Sequence, residues 1–141
     1  MSLLLDTNVV SELRKAKSGR ANARVLRWAE SVPAGRLYLS AISLLELAMG
    51  VLQVERRDGV QGALLRAWLE EQVLPAFAAR VLAVDAAVAL RCAKLQVPKR
   101  LSERDALIAA TALVHGMTVV TRNTADFAAG GVALLNPWDA A

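Results

Sequence analysis

Ser2-Leu3-Leu4-Leu5-Asp6-Thr7-Asn8 is an apolar run that stops at a carboxylate. Three leucines in succession predict a strand covered on both faces, the situation of a central strand in a parallel α/β sheet. Ligands of such sheets gather beyond the carboxyl ends of the strands, which is where Asp6 falls. An aspartate before a helix also serves as its N-cap, accepting hydrogen bonds from free N–H groups. On position 6 alone the cap is the simpler reading.

Downstream, Val9, Val10 and Leu13 carry helical spacing into a short helix that dissolves in the basic loop Lys15-Ala16-Lys17-Ser18-Gly19-Arg20. That loop is either a solvated connection or a phosphate contact. Ala23, Leu26, Arg27 and Glu30 mark an amphipathic helix with Trp28 partly buried, ended by Pro33-Ala34-Gly35. Leu37-Tyr38-Leu39 reads as a second strand. The helix expected from Ser43 carries Leu44, Leu45, Leu47, Met49 and Leu52. It is apolar on nearly every side except at Glu46, which suits a central element or an oligomer interface. Arg56-Arg57-Asp58-Gly59 breaks the chain before a helix through Leu64, Leu65, Trp68, Leu69 and Val73 that is expected to end before Pro75. The two helices form a hairpin laid over the domain.

Val81-Leu82-Ala83-Val84 gives a third strand, and Asp85 a cap for a helix with Val88, Leu90, Cys92 and Leu95 that closes at Pro98. Ser102 caps a helix containing Asp105, Leu107, Ile108, Ala109, Ala112 and Leu113, stopped at His115-Gly116. Thr118-Val119-Val120-Thr121 and Val132-Ala133-Leu134-Leu135 supply strands four and five. Strands alternating with helices predict a parallel sheet with right-handed crossovers and helices on both faces. With 141 residues and no linker or repeat, one domain spanning 1–141 is expected.

The hydrophobic fraction is 55% with only 4% aromatics, so the core is built of Ala, Leu and Val. No uncharged apolar run approaches the ~18 residues that span a bilayer, and the start lacks the flanks of a signal peptide; a cytoplasmic location is expected. A single cysteine, Cys92, excludes an intrachain disulfide and reads as a small core residue. Seventeen Lys and Arg against thirteen Asp and Glu give +4, a balance that permits polyanion binding without requiring it.

Asp6, Glu46, Asp105 and Asp126 each lie at the edge of an apolar segment. Singly, each has an ordinary structural role. Ser43 to Glu46 and Ser102 to Asp105 match the spacing of a capping box, and Asp126 suits a turn after a strand. Collectively they differ, because strand ends and the starts of the following helices share one rim of a parallel sheet. If strands one and four are neighbours, all four acids converge. Carboxylates that close repel unless protons or cations compensate. Oxygen donors without a His or Cys cluster favour Mg²⁺ or Mn²⁺ over zinc, and such pockets suit phosphoryl chemistry. No Gly-rich phosphate loop follows the first strand. His115, the only histidine, stands at a helix end with no nucleophile elbow to serve. An aspartyl-phosphate mechanism on Asp6 favours a second acid two residues on, where Asn8 stands.

Through these residues the chain resembles the PIN-domain ribonucleases, and among them the VapC and FitB-like toxins of bacterial toxin-antitoxin pairs. The matching blocks are Leu4 through Glu12, Ser43-Leu44-Leu45-Glu46-Leu47, Asp105 through Ala112 and Val119 through Phe127, with Gly131-Val132 through Asn136-Pro137-Trp138 at the end. They cover nearly the whole chain in family order. The resemblance implies a three-layer α/β/α sandwich around a mainly parallel five-stranded sheet, and Mg²⁺- or Mn²⁺-dependent cleavage of RNA by an activated water. Asp6, Glu46, Asp105 and Asp126 match the catalytic acidic quartet, with Asp6 and Asp105 as the foremost metal ligands. Thr7, Asn8 and Thr121 match supporting polar positions that hold carboxylates or water.

A homodimer and a cognate VapB- or FitA-like antitoxin, whose tail blocks the acidic pocket, are also implied; an inhibitor arginine suits a pocket of carboxylates. For the RNA strand itself, Lys17, Lys99, Arg100 and Arg122 are the basic candidates. The competing expectations are a noncatalytic PIN-like binding module, and a PIN nuclease of RNA processing or DNA.

Overall fold

The computed structural model describes residues 1–139. Strands β1 (Leu3–Leu5), β2 (Leu37–Ser40), β3 (Val81–Leu82), β4 (Thr118–Val120) and β5 (Leu134–Leu135) form one sheet in the order β3-β2-β1-β4-β5, every pairing parallel. The chain builds outward from β1 through β2 to β3, then returns to the other side of β1 for β4 and β5. That reversal opens a crevice between the carboxyl ends of β1 and β4, the place where sheets of this kind bind ligands. Leu5 pairs with Val120 across it.

The helices are α1 (Thr7–Arg14), α2 (Ala23–Ser31), α3 (Ala41–Arg57), α4 (Gly59–Trp68), α5 (Leu74–Ala76), α6 (Ala86–Leu95), α7 (Glu103–His115) and α8 (Thr124–Phe127). The alternation of β1 sorts them into layers. Leu3 and Leu5 point into a cluster with Val9, Val10, Leu47, Val51 and Val73. Leu4 points the other way, against Ile108, Ala109, Ala112 and Phe127. Leu4 and Leu5 are fully buried, as expected of a strand covered on both faces. Complete burial of such a side chain is worth about 1.5–3 kcal/mol. The alanines of α7 let it lie close to both the sheet and α6, where Ala106 and Ala110 meet Val88 and Cys92.

Helices α3 and α4 form the expected hairpin, with Asp58 capping α4 through the N–H groups of Val60 and Gln61. The crossing is tight at Gly62, where an added Cβ would lie 2.6 Å from the Cα of Glu55. Arg66 ties the pair by donating from Nη2 to Glu55 Oε1 at 2.7 Å.

Several boundaries differ from expectation. Helix α3 starts at Ala41, because Ser40 rather than Ser43 caps it: Ser40 Oγ accepts from the Ile42 N–H at 3.0 Å. The chain does not leave its helix before Pro75 but passes through a wide π turn at Leu69–Val73 into α5, which contains that proline. Proline lacks an N–H and crowds the carbonyl four residues back, and the wider turn accommodates both. Strands β3 and β5 are two residues each rather than four. For β3 the reason is its neighbour: β2 ends at Ser40, so Ala83 and Val84 have no strand to pair with.

Candidate active site

Asp6 is the pivot of the crevice. Its backbone N–H still reaches across to the Val120 carbonyl at 2.9 Å, which carries the strand pairing one residue beyond β1 and buries the side chain to 6% exposure. Both readings of this residue hold at once. Oδ1 accepts from the Thr7 N–H at 2.8 Å as the cap of α1. Oδ2 accepts from Thr121 Oγ1 at 2.8 Å and from Asn8 Nδ2 at 3.3 Å. Thr121 stands just past β4, where its own N–H bonds the Leu135 carbonyl at 3.0 Å, so two strands fix the carboxylate from opposite sides.

Thr7 serves a second acid. Its hydroxyl donates to Glu46 Oε1 at 2.7 Å, while Arg104 Nη1 lies 3.5 Å from Glu46 Oε2. Because α3 begins before Ser43, the expected capping box does not form. Ser43 instead turns its buried hydroxyl to the Leu5 carbonyl at 3.5 Å, leaving Glu46 to face the crevice. The same expectation fails at α7: Ser102 occupies the cap position without a side-chain capping bond. Asp105 is therefore free of that role and lines the cavity with Asp6 and Glu46. Asp126 lies in α8, close enough for its charge to act on both Asp6 and Asp105, though it does not line the cavity wall.

The electrostatics follow from this crowding. Burial raises the proton affinity of Asp6, the hydrogen bonds from Thr121 and Thr7 oppose the rise, and the charges of Glu46 and Asp126 add to it. Asp105 is pushed up to about 6, by burial first and then by Asp6, Asp126 and Glu46. A cation in the crevice would relieve both groups. The donor set is all oxygen, which suits a hard divalent ion. Among the described residues no three His, Cys, Asp or Glu side chains are grouped closely enough to hold a metal ion by themselves. Mg²⁺ keeps several waters and takes one or two carboxylates together with phosphate oxygens, so Asp6 and Asp105 would be enough protein ligands for it.

The cavity holds about 450 Å³. Of the expected basic residues, Arg122 lines it and Lys17, Lys99 and Arg100 do not. Lys17 lies instead in a recess with Gln61, Leu64 and Trp68, and Arg100 in one between α6 and α7 beside Cys92. Lys17 lies in the 3-10 turn Lys15–Ser18 that follows α1, and Arg100 in the connection between α6 and α7. Lining residues absent from the sequence expectation are Ser11, Glu12, Lys15 and Trp138. Asn8, Ser11 and Glu12 have the three-and-four spacing that puts them on one face of α1 with Asp6 at its head, and Lys15 continues that spacing at the helix end, a signal present in the sequence. Glu12 is not an open ligand. It accepts from the Asn22 N–H at 2.9 Å and from Lys15 Nζ at 3.3 Å, and the Asn22 bond leads in lowering its proton affinity.

A family model described as PIN domain matches residues 3–131. The VapC ribonuclease Y4jK of Sinorhizobium fredii is 40% identical over 144 residues, covering 99% of each chain. Toxin FitB of Neisseria gonorrhoeae is 40% identical over 141 residues, covering 96% of this chain and 98% of its own. A crystal structure of FitAcB from Neisseria gonorrhoeae superposes with a TM-score of 0.88 at 39% identity, over 97% of this chain and 99% of that one. A toxin-antitoxin complex from Klebsiella pneumoniae superposes at 0.67 and 27% identity, over 96% and 98%.

Proposed function

Because the chain belongs to the PIN-domain family, we propose that it is the endoribonuclease toxin of a type II toxin-antitoxin pair, hydrolysing RNA phosphodiester bonds with Mg²⁺ or Mn²⁺. The observation that carries this is the Asp6 carboxylate, held by three donors at the sheet crevice beside Glu46 and Asp105. Relatives of 40% identity named a VapC ribonuclease and a toxin support it.

Asp6 and Asp105 are the principal cation ligands, with Glu46 and Asp126 completing the acidic quartet. Thr121, Asn8 and the Thr7 N–H aim the Asp6 carboxylate, and the Thr7 hydroxyl holds that of Glu46. When bound, the divalent cation offsets phosphate charge and acidifies the attacking water. Positioning by fixed carboxylates supplies the remainder, so no side-chain nucleophile is needed.

A cognate VapB- or FitA-like antitoxin is the expected partner, with its tail over the acidic cavity. Exposed Leu45 and Leu52 on α3 support a homodimer. Residues 1–141 act as a single PIN domain in this reading, at work on RNA in the cytoplasm. No helix among the described residues is long and apolar enough to cross a membrane.

The test is incubation of antitoxin-free protein with labelled RNA and DNA of the same mixed sequence, in Mg²⁺ or Mn²⁺ and in EDTA. RNA cut only with metal, and DNA left intact, is the expected result. Cleavage of DNA alone points to the DNA nuclease alternative. Binding without cleavage by folded, metal-loaded protein points to the noncatalytic module.

A further inference from the structure

At the rim of the acidic cavity two residues from distant parts of the chain meet: the guanidinium of Arg122 lies over the ring of Trp138, 5.4 Å from its centroid. Both line the same cavity as Asp6, Glu46 and Asp105. We propose that Arg122 and Trp138 form a stacking subsite for one nucleobase of the strand held in that cavity, with the guanidinium offered to the base and the indole supporting it from behind. The inference rests on the nuclease reading and names how that site grips its substrate.

Three observations converge. First, Arg122 has no carboxylate within salt-bridge distance among the described residues, although Arg104 takes Glu46 and Lys15 takes Glu12 nearby. Its guanidinium is therefore not tied to a carboxylate by direct contact, although its charge is felt by Glu12. Second, the pair is built rather than draped. The Asn136 side chain brackets it, accepting from the Trp138 N–H at 2.9 Å and donating to the Arg122 carbonyl at 3.4 Å. Arg24 Nη1 donates to the Trp138 carbonyl at 3.4 Å, and the Arg122 N–H donates to Asn8 Oδ1 at 3.4 Å. Asn8 also donates to Asp6, so the rim is referenced to the carboxylate that anchors the chemistry. Third, Trp138 packs partly on the core that includes Leu3 and Leu5, which fixes the surface against which the guanidinium lies.

Unpaired bases stack on aromatic rings and on arginine guanidinium planes alike, and such a contact tolerates any base because every base has a π face. Lysine cannot replace arginine there, since an ammonium has charge without a plane. The subsite thus adds grip on single-stranded RNA beside the scissile phosphate without reading sequence.

The experiment measures binding of fluorescein-labelled single-stranded RNA by anisotropy, with Asp6→Asn protein in Mg²⁺ so that the strand survives. An abasic ribose-phosphate strand of equal length is the comparison. Arg122→Ala and Trp138→Ala are expected to weaken RNA binding by about fivefold to a hundredfold, the range for one stacked base, and to weaken abasic binding far less. Arg122→Lys is expected to restore the salt dependence but not the preference for the base-bearing strand. Trp138→Phe keeps a ring and is expected to fall between wild type and Trp138→Ala, which separates stacking from simple support of the chain end. Equal losses on both strands would make Arg122 a phosphate contact and overturn the subsite. No loss in any variant would also overturn it. If the protein with intact Asp6 cuts RNA in either case, the nuclease reading stands alone; if it neither binds nor cuts RNA, both fall.

Discussion

Asp6 is both the cap of α1 and the best-held carboxylate of the crevice, and the geometry explains why these roles do not compete: Oδ1 serves the cap while Oδ2 takes Thr121 and Asn8. Asp105 has no such support and is pushed up to about 6, chiefly by burial. Its folded proton affinity exceeds the ordinary aspartate value of 3.8, so between those pH values the folded protein binds more protons than the unfolded chain. The resulting stability is fully present below the unfolded value and is lost as pH rises through the folded one. Metal-free protein should therefore lose on the order of 1 kcal/mol between pH 4 and about 6, a partial figure because water screens the half-buried group. Urea melts in EDTA across that range should show the loss in wild type and a much smaller one in Asp105→Asn. The same loss in both would remove Asp105 as its cause. The four acids were legible in the sequence because each interrupts an apolar segment. Arg104 and Lys15 were not, since on a helix they are ordinary charged residues until folding sets Glu46 and Glu12 beside them.

Among the elements, the α3–α4 hairpin shows how a local preference loses to packing. Alanine exceeds glycine in a helix interior by about 1 kcal/mol. At Gly62 the added methyl would meet the Glu55 backbone, which cannot rotate away as a side-chain tip can. Overpacking of this kind costs about 1–3 kcal/mol, so Gly62→Ala should be destabilising by about 1 kcal/mol net and lower the urea midpoint. A raised midpoint would mean that the crossing is looser than described. Helix and strand order was readable because apolar spacing changes period along the chain, and the leucines of β1 bear this out on both faces. Helix starts were less readable. Ser40 and Ser43 both have the chemistry of a cap, and which one serves depends on where β2 ends. The capping reading of Glu46 failed for that reason, and its failure is what turns Glu46 toward the crevice. Edge-strand lengths were unreadable because the partner strand sets them.

For the whole molecule, the order β3-β2-β1-β4-β5 is what makes four acids from separate segments into one site. The reversal at β1 places the ends of β1 and β4 side by side, and the following helices bring Glu46, Asp105 and Asp126 to the same rim. A chain with a net charge of +4 concentrates negative charge there, so the polyanionic strand must be met by cations at the rim and within the crevice. The central claim is that this convergence is catalytic rather than structural. Single-turnover RNA cleavage in Mg²⁺ by wild type, Asp6→Asn and Asp105→Asn tests it most directly, with circular dichroism to verify that each variant is folded. Both variants should be folded and slower by at least about a hundredfold, the scale on which a lost electrostatic contact acts in catalysis, and EDTA should abolish the wild-type reaction. Cleavage at the wild-type rate by either folded variant would contradict the account.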